Sequence, residues 1–115
     1  MIAFGDVYLI RNGSTSLYKI GEAKSSIKRL STLQTGNPEK LSISKVHNTY
    51  TRKWAERWMH FYFRHIQVRG EWYNFGDMSL EQVIKEFDTA YNKSRNRTEQ
   101  NIPSLYNCQP LDRLT

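Results

Sequence analysis

The sequence predicts a small α+β domain in which helices flank a three-stranded, mainly antiparallel sheet. Two observations lead to this prediction. Short runs of β-branched and aromatic residues alternate with segments in which apolar residues recur every three or four positions. Glycine, asparagine, serine and proline separate these segments, as they do between strands and helices. The resulting order of strand, strand, helix, strand, helix, short extended segment and helix favours one sheet covered by helices.

Three strands are predicted from short apolar runs. The runs at 7–10 and 17–20 flank RNGSTS, whose Asn-Gly pair suits the positive φ angles of a tight turn, so we expect an antiparallel hairpin. A third strand is expected in KLSISKVHNTY, where apolar residues alternate imperfectly. Within the second strand, Tyr18 and Lys19 must point to opposite faces, so only one of them shares the face of Tyr8.

The first helix is predicted in KSSIKRLSTLQTG. Either Ser25 or Ser26 can cap its start, because a serine oxygen accepts a hydrogen bond from a free backbone N–H of the first turn. The helix is expected to bury Ile27, Leu30 and Leu33. The glycine and proline that follow predict its end.

Two further helices are predicted before the apolar periodicity is lost. One begins at Thr51 in TRKWAERWMHFYFRHI, whose apolar residues form a wide stripe. The other begins at Ser79, which with Gln82 forms a capping box. We therefore expect a single domain at residues 1–93. Residues 94–115 contain two prolines and no periodic pattern, which predicts a C-terminal extension that is extended or partly disordered.

Composition favours a polyanionic partner. The formal net charge is +6, and three tryptophans, seven tyrosines and five phenylalanines accompany it, which is typical of nucleic-acid-binding domains. The single cysteine, Cys108, excludes an internal disulfide and a multi-cysteine zinc site. No apolar run approaches the roughly 20 residues of a membrane span, and the N-terminus lacks a signal-peptide pattern. A cytoplasmic protein without a membrane partner is expected.

The predicted hairpin carries groups that suit a phosphate. Gly21 allows a close turn from the second strand towards the helix that contains Arg29. Tyr8, one of the pair Lys19 and Tyr18, and Arg29 would then converge. An ammonium and a guanidinium attract a phosphate and stabilise negative charge that develops on it.

These residues resemble the motifs of the GIY-YIG nuclease superfamily, in particular a short, phage-associated branch whose second motif often has the letters YKIG. DVYLI stands at the GIY motif with Tyr8 as its tyrosine, and KIG stands at the YIG motif. The family arginine follows the motif glycine by eight residues, and Arg29 has this spacing from Gly21. Glu56 best matches the family's metal-binding glutamate, and GEWY at Gly70–Tyr73 is similar to the branch's GEWF.

The chain departs from the family pattern at four places. Asp6 replaces the first motif glycine, and Lys19 replaces the second tyrosine. Many members carry a histidine or tyrosine four residues after the arginine, where this chain has Leu33. For the family's asparagine near the end of the motif region, either Glu71 or Asn74 is a candidate, and the sequence does not choose between them.

The resemblance implies a metal-dependent endonuclease that hydrolyses phosphodiester bonds in DNA. Glu56 would hold one Mg²⁺ or Mn²⁺ ion, Arg29 would neutralise the transition state, and Tyr8 would align or deprotonate the attacking water. Lys19 would assist, and proximity to it and to the metal would have to lower the Tyr8 pKa. No small-molecule cofactor is implied. Supporting residues of the site would come from the set Tyr18, His60, Glu71 and Asn74.

DNA is the expected partner, in the cytoplasm of a bacterial host if the chain is phage-encoded. Five basic residues are candidates to contact its backbone: Lys24, Lys28, Arg52, Lys53 and Arg69. A domain of this size would need a homodimer, a partner subunit or loose specificity.

Simpler interpretations compete with each assignment. The basic side chains also suit a solvated helix face, and Glu56 also suits a surface ion-pair cluster with neighbouring cations on its helix. At the level of function, the alternative is a catalytically weak or inactive domain of the same family. Such a domain would bind nucleic acid or serve as a protein-interaction module.

Overall fold

The computed structural model of the protein describes residues 4–96, and the predicted α+β class is confirmed. The antiparallel sheet has five strands rather than the three expected, and three helices flank it. In chain order the elements are β1 (Gly5–Asn12), β2 (Leu17–Ala23), α1 (Ser26–Gln34), β3 (Leu41–Thr49), α2 (Arg52–Tyr62), a 3₁₀ turn (Arg64–Ile66), β4 (Gln67–Arg69), β5 (Trp72–Asn74) and α3 (Leu80–Arg95).

The two additional strands lie around the GEWY sequence. The strand order across the sheet is β3-β1-β2-β5-β4, and every neighbouring pair is antiparallel. β4 and β5 have three residues each, which is too short for an alternating pattern to identify them in the sequence. β5 pairs with β2 only from Leu17 to Lys19. Within residues 4–96, the rest of that edge of β2 has no ladder partner, and we call it the open edge.

The two faces of the sheet bury different sets of side chains. One face, with Val7, Leu9 and Ile20, packs against α2 and α3 and forms what we call the main core. The other face, with Tyr8 and Ile10, packs against α1 and forms a smaller group that we call the α1-side cluster. Because successive residues of a strand alternate between faces, β1 and β2 contribute to both.

The first helix begins at the serine cap that the sequence offers, but it buries fewer residues than expected. Ser25 accepts a hydrogen bond from the backbone N–H of Lys28, which settles the choice of cap. Leu30 and Leu33 pack on the α1-side cluster, whereas Ile27 is 74% exposed, so its predicted burial is wrong. Three residues of an α-helix turn by about 300°, which is about 60° short of a full turn. Ile27 and Leu33 are two such steps apart, so their side chains point about 120° apart around the helix axis.

The later helices follow the sequence with shifted ends. α2 ends at Tyr62, and the four residues after it turn away through the 3₁₀ segment. The capping box of Ser79 and Gln82 is confirmed, with both reciprocal hydrogen bonds present. α3 continues to Arg95, because buried Ser94 accepts a hydrogen bond from Trp54 of α2 through its carbonyl oxygen. Most of the expected C-terminal extension lies outside the described residues.

None of the helices within residues 4–96 combines the length and the apolar character that a bilayer crossing requires.

Candidate active site

Tyr8 lies on the α1 side of the sheet, directly opposite Gly21 of β2. Its ring is 1% exposed and lies across the glycine. A Cβ atom at Gly21 would collide with the phenol oxygen and with the ring of Tyr8. The motif glycine is therefore required because it leaves room for the tyrosine of the neighbouring strand.

Lys19, and not Tyr18, shares this face with Tyr8. Lys19 lies opposite Ile10 in the ladder, and its Nζ forms an ion pair with Glu71 at 2.9 Å. Tyr18 points into the main core, where it makes an edge-to-face contact with Phe75. Among the described residues, the Tyr18 hydroxyl has no hydrogen-bond partner. Tyr18 is thus separated from Tyr8 and Lys19 by the sheet itself.

The open edge of β2 lets α2 contribute to the site although α2 covers the opposite face. The carbonyl oxygen of Glu71 accepts a hydrogen bond from the Ile20 N–H at 3.0 Å. The carbonyl oxygen of Ile20 in turn accepts one from Nε2 of His60 at 2.9 Å. One ligand atom each of Glu56, His60 and Glu71 lies within 4.8 Å of the others. We call these three residues the edge cluster.

The hydrogen bond of His60 fixes its tautomer. A carbonyl oxygen only accepts, so Nε2 carries the proton and Nδ1 keeps its lone pair in the neutral ring. Burial lowers the pKa of His60 below its usual value, which keeps the ring neutral at pH 7. The His60 nitrogen nearest to the Glu56 carboxyl group is this same Nε2, at 3.9 Å, so a metal ion that binds it would have to displace the hydrogen bond to Ile20.

The two carboxyl groups of the edge cluster differ in protonation. Burial, with the nearby charges of Glu71 and Glu22, raises the pKa of Glu56 to about 8. Burial of Glu71 acts in the same sense, but the hydrogen bond and charge of Lys19 outweigh it and lower the Glu71 pKa. At neutral pH Glu56 therefore holds a proton and Glu71 is ionised. Two carboxyl groups and an imidazole form a donor set that suits a divalent cation, whose charge would displace this proton.

Arg29 reaches Tyr8 from the first turns of α1, where its side chain is exposed. Burial raises the Tyr8 pKa, and a hydrogen bond from the Arg29 side chain opposes the rise without cancelling it. The charges of Glu71 and Glu56 also raise it. The expected lowering of the Tyr8 pKa requires a bound metal ion and stays a prediction, whereas in the chain by itself burial raises this pKa.

Asp6 holds the start of the helix that carries Arg29. Its carboxylate accepts hydrogen bonds from the Ser26 N–H at 2.8 Å and from the Asn48 side chain at 2.9 Å. Burial acts to raise the Asp6 pKa, but these hydrogen bonds, with the charge of Arg52, lower it. In the sequence Asp6 is visible only as a departure from a motif, since no local pattern links it to Ser26, 20 positions away.

The remaining candidates fall outside the cluster. Asn74 accepts hydrogen bonds from Ser16 and Gly76 in the turn after β5, so of the two alternatives it is Glu71 that lies beside Lys19. Leu33 packs in the α1-side cluster. The candidate DNA-contacting residues divide into Arg52, whose Nε pairs with Glu22 at 2.7 Å, and the exposed side chains of Lys24, Lys28, Lys53 and Arg69.

Comparison with known families identifies the domain. The T5orf172 domain family matches residues 5–90, which extend from β1 into α3. The chain belongs to this family. T5orf172 is a phage-associated domain that occurs among nuclease-related families, and the matched segment contains Tyr8, Arg29 and the whole edge cluster. No curated protein and no solved structure matched the chain.

Proposed function

We propose that this T5orf172 domain is a metal-dependent endonuclease of the GIY-YIG type that hydrolyses phosphodiester bonds in DNA. One observation carries the proposal: Tyr8 and Arg29 approach the edge cluster from the α1 side, while α2 supplies Glu56 and His60 around the open edge. We expect the protein to act in the cytoplasm of a bacterial host. The assignment as a GIY-YIG-type endonuclease is supported by membership of the T5orf172 family and by the resemblance of the sequence motifs.

The edge cluster would hold one Mg²⁺ or Mn²⁺ ion through Glu56, with Glu71 and His60 as further donors. When bound, such an ion supplies positive charge that stabilises the leaving oxygen of the phosphodiester. The cluster fits this role because Glu56 is half-buried beside the charges of Glu71 and Glu22 and keeps a proton there. Lys19 is a positioning residue that keeps Glu71 ionised and ready to bind.

Arg29 is the residue best placed to bind the substrate phosphate. Its guanidinium is exposed, so a phosphate can reach it, and it contacts the Tyr8 side chain at the same time. The planar guanidinium matches two phosphate oxygens and stabilises the additional charge of the transition state. The hydrogen bonds of Asp6 keep the helix start, and hence Arg29, at this position.

Tyr8 would orient the attacking water with its phenol oxygen. Because its pKa is raised, the phenol stays protonated at neutral pH and acts through hydrogen bonds. Glu71, ionised beside Lys19, is the group that would accept the proton of the water. This assignment differs from the initial expectation, in which Lys19 assists the phenol directly.

The test is cleavage of plasmid DNA by the purified chain in Mg²⁺ or Mn²⁺. We expect nicking or linearisation that EDTA abolishes and that Glu56→Ala or Arg29→Ala reduces to background. Glu81→Ala, which removes an exposed glutamate at the start of α3, is the matched control and should cleave like the wild type. Cleavage that survives both site substitutions would refute the proposed site.

A non-catalytic, DNA-binding role is the second candidate. Related nucleases carry a group capable of proton transfer at the position of Leu33, but the Leu33 side chain packs in the α1-side cluster. The ammonium group of Lys19 already forms an ion pair with Glu71. Under this candidate the protein binds DNA in EDTA with a steep salt dependence but cleaves nothing in Mn²⁺. The two candidates are therefore separated by one pair of assays on one preparation.

A further inference from the structure

An exposed pair of aromatic rings lies at one end of the sheet. Phe4 is 59% exposed and Tyr50 is 55% exposed. Their centroids are 4.9 Å apart and the ring planes are nearly perpendicular. Among residues 4–96, they are the two exposed large apolar side chains that contact each other as rings. Neither ring contributes to the main core or to the α1-side cluster.

The pair lies on the same face of the sheet as Tyr8. The ladder ends where Gly5 lies opposite Thr49, and Phe4 and Tyr50 are the residues directly beyond it. Alternation then places Phe4 on the face of Tyr8, four residues before it. At about 3.3 Å per residue the separation along the strand is about 13 Å. This distance corresponds to about four nucleotides along one strand of B-form DNA, and to fewer nucleotides of a stretched single strand.

The backbone beneath both rings is held in place. Gly5 leaves room for the Arg52 side chain, which bonds to the Phe4 carbonyl oxygen at 3.4 Å and pairs with Glu22. On the other strand, the Thr49 hydroxyl accepts a hydrogen bond from the Thr51 N–H across the turn that carries Tyr50. The backbone that carries the two rings is therefore fixed, so little backbone freedom is lost when the rings bind a partner.

Exposed basic side chains lie in the segments that follow β2 and begin α2. Lys24 follows β2 on the neighbouring strand, and Lys53 lies in the first turn of α2, directly after Arg52. Both lysines are exposed, as is Arg29 of α1. A cationic surface with aromatic rings is what proteins use to bind unpaired nucleic acid, because the cations follow the backbone and the rings stack on bases.

We infer that Phe4 and Tyr50 stack on an unpaired base a few nucleotides from the phosphate bound at Arg29. The inference rests on the proposed function and names its substrate class: DNA with unpaired nucleotides beside the cleavage point, such as a flap, a splayed end or a single strand. A base within a duplex has its faces covered by its neighbours, so it gains nothing from these rings.

The test compares two fluorescein-labelled DNAs that share one sequence, a blunt duplex and the same duplex with a single-stranded arm. Binding of the full chain is measured by fluorescence anisotropy in EDTA, so that no cleavage occurs. The variants are Phe4→Ala, Tyr50→Ala and Phe4→Tyr. Val68→Ala is the matched control, because it removes an exposed apolar side chain from β4 at the far edge of the sheet.

We expect each alanine variant to weaken binding of the armed DNA by about 5-fold to 100-fold while duplex binding stays the same. Phe4→Tyr should restore the wild-type affinity, and Val68→Ala should change neither affinity. The inference is overturned if the alanine variants lose both DNAs equally, if they lose neither, or if sedimentation shows that they dissociate a dimer. Failure of the proposed nuclease function gives a different result, because the wild type would then cleave neither DNA in Mn²⁺, whichever DNA it binds more tightly.

Discussion

Tyr8 and Tyr18 lie on neighbouring strands and are each 1% exposed, but they belong to opposite faces of the sheet. Tyr18 packs edge-to-face against Phe75, and its hydroxyl has no partner among the described residues. Tyr8 meets the side chain of Arg29 and the charges of Glu71 and Glu56. The two tyrosines are equally buried but differ in their neighbours, because Tyr18 is surrounded by apolar side chains and Tyr8 lies beside ionisable groups.

The open edge explains how both faces serve one site. α2 stabilises the domain from the main-core side, with Ala55 and Met59 fully buried. The same helix delivers Glu56 and His60 to the polar side, because β5 stops pairing at Lys19. A longer β5 would close this edge and separate the carboxyl groups from Tyr8.

The largest effect on stability is expected in the main core. Phe87→Ala removes a fully buried ring, and the lost contacts plus the resulting cavity should lower the free energy of unfolding by about 3–5 kcal/mol. Urea denaturation followed by circular dichroism measures this change. Trp72→Ala, on the α1 side where the ring is only partly buried, should cost less. A smaller loss for Phe87 than for Trp72 would contradict the division into two faces.

The largest effect on activity is expected at Arg29. Arg29→Ala should lower kcat by about 100-fold or more, the usual cost of removing one group that stabilises transition-state charge. The free energy of unfolding should change by less than about 0.5 kcal/mol, because the side chain is exposed. Single-turnover cleavage and urea denaturation measure the two quantities. Arg95→Ala at the end of α3 is the matched control, and an equal loss of activity in it would argue against a specific role for Arg29.

The two tyrosines allow a direct test with the same substitution. Tyr8→Phe should reduce kcat by at least about 10-fold, because the phenol oxygen that orients the water is lost. Tyr18→Phe should leave cleavage unchanged and raise the free energy of unfolding by about 1 kcal/mol, since it removes a buried hydroxyl without a partner. Cleavage rates and denaturation curves of both variants decide the matter. A loss of activity in Tyr18→Phe would mean that the faces are not independent.

A further effect is a pH dependence of stability in EDTA. The Glu56 pKa is about 8 in the folded chain and near 4.5 when unfolded, so the unfolded state releases this proton first as pH rises. The contribution of protonated Glu56 to the free energy of unfolding is complete below pH 4.5 and is lost progressively as the pH rises to about 8. Glu71, whose pKa is lowered, acts in the opposite sense and below pH 4.5.

Thermal melting of the wild type and of Glu56→Gln from pH 4.5 to 8.5 measures this contribution. The wild-type melting temperature should fall relative to that of Glu56→Gln as pH rises. Parallel curves would show that Glu56 ionises as readily in the folded chain as in the unfolded one.

Local patterns in the sequence predict part of this structure. The hairpin, a serine cap of α1 at either Ser25 or Ser26, and the capping box of α3 depend on neighbouring residues, and all three are confirmed, with Ser25 as the cap. Strand alternation also separates Lys19 from Tyr18. Ile27 was misplaced because a helix of nine residues buries only the part of its stripe that meets the sheet.

The edge cluster could not be derived from local patterns. Glu71 and Lys19 are 52 positions apart, and their pairing depends on where β5 begins. The choice between Glu71 and Asn74 likewise needed the turn in which Asn74 accepts its hydrogen bonds. The raised Tyr8 pKa follows from burial, which the sequence motif does not specify.

The central claim is that the edge cluster and Arg29 form one metal-dependent site for phosphodiester hydrolysis. The most direct measurement is the rate of DNA cleavage as a function of Mn²⁺ concentration for the wild type and for Glu56→Gln. We expect a rate that rises to saturation with Mn²⁺ in the wild type, falls to zero in EDTA, and is at least about 100-fold lower in Glu56→Gln at every concentration. Equal rates for the two proteins, or cleavage that EDTA does not stop, would contradict it.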